Sequence, residues 1–289
     1  MKRYALFLAM IVGAVGYPFF SLFAPYVQYL IFAMLILSYS KVNPKDVRIR
    51  PAHLYLLCIQ LVGSLVVYAL LRNFDPIVAQ GGLICVLAPT ATAAAAITGI
   101  LGGSVSFIAG YLLICNLAVA IGGPLIFTWV GDYADRSLLE SFFYICQRVV
   151  PLLVMPLVIV WGVLFFSPKI HRYIVKVQVF SFYLWLVTLA AVTANTVKSL
   201  VEQESSDYKT ELFLAGVACV ICIAQFAIGR RIGRRYNDRV SYGQALGQKN
   251  TLLAIWIAQT YLYPLSAIAP SAYILWQNLI NSYQLWKKK

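Results

Sequence analysis

Charged side chains are scarce in this sequence, and carboxylates are the scarcest of them. Lys, Arg, Asp and Glu together make up 11% of the 289 residues, with only 10 acids, where an average soluble domain carries roughly 25% charged residues. No polar stretch is long enough to form a separate soluble domain, and no Asp or Glu falls in the interior of a long apolar run. The two histidines, His53 and His171, sit at loop edges, and neither an acid pair nor a nucleophile-base pair is visible, which argues against an enzyme. All six cysteines (Cys58, Cys85, Cys115, Cys146, Cys219, Cys222) lie within apolar runs, where free thiols behave as small hydrophobes, so no disulfide framework is implied. Cys219 and Cys222 form a C-x-x-C within one helix, but without a nearby His or a second pair they are weak evidence for a metal.

What the chain does have is apolar sequence from end to end. The hydrophobic fraction is 61% and the mean hydropathy +0.79. Runs long enough to cross a hydrocarbon core of roughly 30 Å recur throughout. Bounded by charge, Pro or Gly, they predict ten transmembrane helices at 4–17, 21–40, 52–72, 76–101, 104–131, 142–166, 169–198, 210–230, 238–262 and 265–286. The expected fold is all-α and integral to the membrane, one domain over 1–289. The first run follows Lys2 and Arg3 and has the look of a cleavable signal peptide. An uncleaved helix is the better reading, because nine further spans follow it.

A net charge of +13 would point to nucleic acid in a soluble protein, so the placement of the basic residues decides the matter. They fall in every second loop. One side of the ten-span arrangement receives 17 of the 23 (Lys2, Arg3, Lys41, Lys45, Arg48, Arg50, Lys169, Arg172, Lys176, Arg230, Arg231, Arg234, Arg235, Arg239 and Lys287 to Lys289). The other receives Arg72, Arg136, Lys198 and Lys209 together with most of the acids (Asp75, Asp132, Asp135, Glu140, Glu202, Glu204, Asp207, Glu211). That asymmetry predicts cytoplasmic N- and C-termini and argues against nucleic-acid binding. Only Arg148 and Lys249 are left at or near membrane depth.

Ten spans divide into two halves of five, a first repeat over about 1–140 and a second over about 141–289, and an odd number per half inverts the second relative to the first. Span 4 is interrupted by Gly81-Gly82, Pro89 and Gly99, and span 9 by Gly243 and Gly247. Interrupted helices at matching positions of inverted halves point to a transporter's midplane binding site. The plainer alternative is that Gly and Pro are common in membrane helices. Both interrupted spans also hold dense polar clusters, which favours the transporter.

The first cluster runs from Pro89-Thr90-Ala91-Thr92 to Ile97-Thr98-Gly99. Pro89 frees a carbonyl one turn back, and Thr90, Thr92 and Thr98 are candidates to satisfy it or to line a polar cavity. Alternatively they bond their own i−4 carbonyls. The second cluster, Ser241 to Thr251, contains Gln244, Gln248, Lys249 and Asn250. Lys249 lies roughly 15 Å from either end of its span, too deep to snorkel and costly unless paired or solvated. With no intramembrane carboxylate, its surroundings must come from carbonyls, helix C-terminal dipoles, amide side chains or an anionic substrate. Gln147 and Arg148 open span 6 on the outer side, where the arginine either attracts anions or snorkels. Gln60 and Asn116 are further polar candidates.

At these two clusters the chain resembles the bile acid:sodium symporter (BASS) family. The likeness rests on Ala91-Thr92-Ala93, Ile97-Thr98 and Gly103, where the family reads approximately G-T-A-S-N-V-I-T followed by a glycine. It rests also on Val240-Ser241, Gly247-Gln248-Lys249-Asn250 and Leu253-Ala254, where the family reads approximately E-x-G-x-Q-N and then a small apolar helix. The resemblance implies ten helices with broken, crossing helices 4 and 9. It also implies that the positions of the family's sodium ligands are here Ala94, Ala95, Ile108, Leu112, Ala245 and Lys249. Sodium requires hard oxygen ligands, and nearly all are gone, so the ammonium of Lys249 is expected to stand where the family holds an ion, as a fixed or protonatable counter-charge.

The expectation is a secondary active transporter or facilitator of a small organic anion in a bacterial inner membrane. Thr90, Thr92, Thr98, Asn116, Gln244, Gln248, Lys249 and Asn250 form its binding or coupling site, with Gln60 and Arg148 as secondary candidates. No cofactor and no obligate protein partner are implied, and the lipid bilayer is the surrounding phase. Two competing readings stay open: a sodium-coupled organic anion symporter, and a non-transporting membrane sensor or assembly subunit.

Overall fold

Proline and short polar caps mark the starts of several helices. Pro51, Pro76 and Pro168 occupy first-turn positions, where their missing N–H groups cost nothing. Asp75 accepts hydrogen bonds from the backbone N–H groups of Ile77 and Val78 at 2.7 and 3.1 Å, and Ser137 and Glu140 form a reciprocal capping box. The computed structural model describes residues 5–42, 44, 47, 49–131, 137–202 and 208–288, and these contain helices and no strand. The predicted loop charges Lys2, Arg3, Lys45, Arg48, Asp132, Asp135, Arg136, Glu204, Asp207 and Lys289 lie outside the described residues.

In order, α1 (Ala5–Val15) is followed by α2 (Tyr17–Phe20), which continues through a 3-10 turn into α3 (Val27–Tyr39). Next come α4 (Pro51–Leu71), α5 (Pro76–Leu87), α6 (Ala93–Leu101), α7 (Val105–Val130) and α8 (Leu138–Phe166). α9 (Pro168–Val177) leads into α10 (Ser181–Val201), and then follow α11 (Tyr208–Arg234), α12 (Arg239–Gly247), α13 (Thr251–Tyr261) and α14 (Ile268–Lys288). Among the described residues six helical stretches are long and apolar enough to cross a membrane: Tyr17–Tyr39, Pro51–Leu71, Val105–Val130, Leu138–Phe166, Pro168–Val201 and Tyr208–Arg234.

The other four expected spans fall outside that set. α1 has 11 described residues, two spans are split into the short pairs α5/α6 and α12/α13, and α14 carries Gln277, Asn278, Asn281 and Gln284. Large apolar side chains on the long helices point outward, among them Val62, Leu70, Phe165 and Phe166. Such an apolar exterior is what a hydrocarbon solvent favours and water does not, so the molecule is a helical membrane protein.

Inside, one apolar cluster joins α3, α5, α7, α8, α10 and α13, and a second joins α5, α11 and α14. α11 and α12 approach each other closely. Gly229 lies against the Tyr242 backbone so tightly that a Cβ there would collide with the Tyr242 carbonyl, the small-residue contact by which membrane helices pack.

Candidate functional site

α5 ends where its hydrogen-bond ladder loses a donor. Pro89 has no N–H to give the Cys85 carbonyl, and the chain turns extended at Ala88 (ψ 135°) before α6 begins at Ala93. α12 breaks likewise after Gly247, with Gln248 and Asn250 non-helical (ψ 93° and 80°), before α13 begins at Thr251. The two breaks lie against each other as a single antiparallel bridge between Thr90 and Lys249. Ala91 N–H donates to the Gln248 carbonyl at 2.9 Å, and Asn250 N–H donates to the Pro89 carbonyl at 2.8 Å.

A broken helix inside a membrane must find partners for its last carbonyls within the protein. For α5 those partners can be named one by one. Ala88 N–H donates to Ile84 O at 3.0 Å, and Gln225 Nε2 of α11 donates to Cys85 O at 3.2 Å. The Lys249 ammonium donates to Val86 O at 2.7 Å, and Gln60 Nε2 of α4 reaches both Leu87 O and Ala88 O, at 2.8 and 3.1 Å.

The α12 break is satisfied by the same logic from the other direction. Thr90 Oγ1 donates to Ala245 O at 2.7 Å, and Tyr273 Oη of α14 donates to Gly247 O at 2.9 Å. The threonines expected to serve the carbonyl that Pro89 frees therefore do not: Gln225 takes that carbonyl, and Thr90 serves the opposite break.

Lys249 is 1% exposed, and among the described residues no carboxylate lies within 4.0 Å of its nitrogen. Its charge is met by the carbonyl end of α5, where the helix dipole is negative. Its own backbone N–H donates to Gln277 Oε1 at 3.0 Å. α14 contributes a polar stripe in which Asn281 bridges Gln244 and Gln248, accepting from Gln244 Nε2 at 2.9 Å and donating to Gln248 Oε1 at 2.6 Å. Gln277, Asn281 and Gln284 lie at helical spacing on one face of α14.

Beside the paired breaks is a cavity of about 900 Å³, bounded by α3 and α10 on one side and by α6, α7, α13 and α14 on the other. Thr92, Gln248, Lys249 and Asn250 line it, as do Ala95 and Leu112. The first residues of α6 and α13 (Ala93; Thr251 and Leu252) face it too, and helix N-termini favour anions. Lys41, Gln178, Ser181, Trp185 and Asn278 extend the lining in ways the sequence reading did not anticipate.

The remaining candidates lie elsewhere. Thr90, Thr98, Asn116 and Gln244 are buried and do not line the cavity, with Asn116 Nδ2 donating to Leu112 O of its own helix at 2.8 Å and Thr98 Oγ1 without a hydrogen-bond partner among the described residues. Arg148 is exposed on α8, ten residues past its first residue Leu138, with its guanidinium 4.6 Å from the Tyr144 ring centroid; it does not line the cavity. Ala94, Ile108 and Ala245 pack in one apolar cluster with Phe107, Tyr111 and Tyr242, so three of the positions aligned with sodium ligands offer only hydrocarbon side chains.

Gln60 braces rather than binds. Its Nε2 holds two carbonyls of α5 while its Oε1 accepts from Tyr111 Oη at 2.8 Å. Gln60→Leu leaves those buried groups unpaired, at a cost of about 1–3 kcal/mol each. The expected result is a clear fall in the thermal midpoint in detergent, while Gln147→Leu at an exposed position of α8 leaves it unchanged. A scan against protein-family models returns no match for this chain, and neither does a search of curated proteins.

Proposed function

We propose that this chain is a secondary transporter or facilitator that moves small organic anions through the cavity beside the two paired helix breaks. The observation that carries the reading is the position of those breaks: two interrupted helices, hydrogen-bonded to each other, open their short second halves onto a cavity of about 900 Å³. Unwound backbone at membrane depth is tolerated only where protein or an aqueous cavity receives it, and in transporters such breaks sit at the substrate site.

In this reading α5/α6 and α12/α13 are spans 4 and 9 of a ten-span, BASS-like arrangement of two inverted five-helix repeats. The membrane is a bacterial inner membrane, with both termini in the cytoplasm. The N-terminal turns of α6 and α13 attract the anion, Thr92 and Asn250 orient it, and Lys249 supplies a fixed positive charge behind it. The loss of oxygen ligands at Ala94, Ile108 and Ala245 supports transport without the usual sodium sites.

Uptake of a panel of labelled organic anions into proteoliposomes tests this, with sodium or proton gradients imposed in turn. The expected outcome is saturable uptake of at least one anion that is indifferent to sodium and falls severalfold with Asn250→Leu. Uptake driven by a sodium gradient would restore the sodium-coupled alternative. No uptake of any anion by protein that purifies as a single folded species would end the transporter reading.

A further inference from the structure

We infer that the molecule holds an anionic phospholipid headgroup in a basic pocket at the end of α11, a site separate from the transport cavity. The pocket, about 920 Å³ in volume, lies between the last turns of α11, the start of α12 and the last turns of α14. Five arginines line it, Arg230, Arg231 and Arg234 from α11, Arg235 from the turn that follows it and Arg239 from α12, and Lys287 and Lys288 close it from α14. Among the described residues the one ion pair is Lys198 with Glu202, far along the sequence from any of these. The nearest acid in sequence, Asp238, accepts from Ser241 N–H at 3.0 Å as the cap of α12.

Loop arginines alone would satisfy the charge asymmetry of membrane proteins, so charge does not make this a site. Two further observations do. The basic residues surround a concavity, whereas α9 carries Lys169, Arg172 and Lys176 on a helix with no buried residue. And Gln284, 9% exposed, lines the same pocket with its Nε2 lacking any hydrogen-bond partner among the described residues. A buried amide donor without an acceptor, inside a ring of cations, fits the oxygens of a phosphate. Lys288 already donates to Ile100 O at 2.6 Å.

A lipid source is favoured over a soluble one by the flanking surface. Tyr283, on the pocket rim, packs beside Trp286 with ring centroids 6.2 Å apart, and both are exposed, as aromatic side chains are at the membrane interface. Basic pockets between helix ends are where phospholipid headgroups bind. The inference rests on the membrane location of the chain and not on transport.

The test uses the full chain, delipidated in mild detergent, with cardiolipin or phosphatidylcholine added and retained lipid counted by native mass spectrometry. The wild type is expected to retain cardiolipin selectively. Arg231→Gln/Arg234→Gln/Arg235→Gln is expected to weaken that retention roughly a hundredfold, since each basic residue near an anionic headgroup contributes about a fivefold factor.

Gln284→Leu, which removes no charge, is expected to weaken it severalfold, and Lys169→Gln/Arg172→Gln/Lys176→Gln to leave it unchanged. Unchanged retention in both pocket variants would overturn the proposal, as would equal loss in the α9 variant. Displacement of the lipid by millimolar inorganic phosphate would also overturn it, in favour of a soluble ligand. If the arginine variant does not fold, the Gln284→Leu comparison and the salt dependence of wild-type retention decide alone.

Discussion

Lys249→Gln is expected to cut anion uptake by roughly 10- to 100-fold, with the smaller part of the effect coming from stability. The ammonium donates to Val86 O at 2.7 Å with no carboxylate within 4.0 Å among the described residues, so its charge is met there by carbonyl dipoles. Leaving a buried carbonyl unpaired costs about 1–3 kcal/mol, and the lost positive charge weakens the hold on an anion by a similar order in the low dielectric of the site. The two contributions separate by measurement. Thermal midpoint in detergent reports the carbonyl, while initial uptake rates at matched amounts of folded protein report the charge. Lys249→Met should match Lys249→Gln in uptake and be the less stable of the two, because it offers no hydrogen-bond donor at all. Wild-type uptake by Lys249→Gln, with the same response to pH and sodium, would remove the lysine from the mechanism.

Gly229→Val is expected to prevent assembly of the fold rather than to weaken function selectively. The added Cβ would meet the carbonyl and Cα region of the Tyr242-Gly243 backbone, and backbone, unlike a flexible side chain, has nowhere to rotate. Overpacking against side chains costs typically 1–3 kcal/mol, and a collision with main chain exceeds that unless α11 and α12 part. Parting them would pull the end of α12 away from Phe226, whose ring lies against Gly247. The check is size-exclusion behaviour and thermal midpoint of Gly229→Val beside Gly216→Ala. In that control, on the same helix, the new methyl group meets nothing within 4 Å. A well-behaved Gly229→Val with a wild-type midpoint would show that the α11–α12 contact has slack.

How much of this was readable in the sequence depends on whether the cause is local. The membrane class follows from charge depletion alone, and the α5 break follows from Pro89, whose missing donor acts on the carbonyl four residues before it. The identity of the replacement donor does not follow, since Gln225 is 140 residues away and a single Gln in an apolar run looks the same whether it faces a neighbour or a break. The cavity wall built by α3 and α10 was hidden for a similar reason: Ile31, Met34 and Leu35 face the cavity, and nothing in their chemistry separates them from residues that face lipid. Arg148 entered the candidate set for its charge, and α8 turns it outward over Tyr144, away from the cavity lining. Gln277, Asn281 and Gln284 were within reach, as amides spaced along one face of an otherwise apolar helix.

The mutual satisfaction of the two breaks also sets an order of events during synthesis. Val86 and Lys249 are 163 residues apart in the chain, and Pro89 and Asn250 are similarly remote. At about 5–20 residues per second the ribosome takes roughly 8 to 30 s to make what lies between them. Through that interval the first break has neither its ammonium nor its paired backbone, and hydrocarbon offers no substitute. The N-terminal half of this protein therefore reaches its native form only after the C-terminal half has been delivered to it.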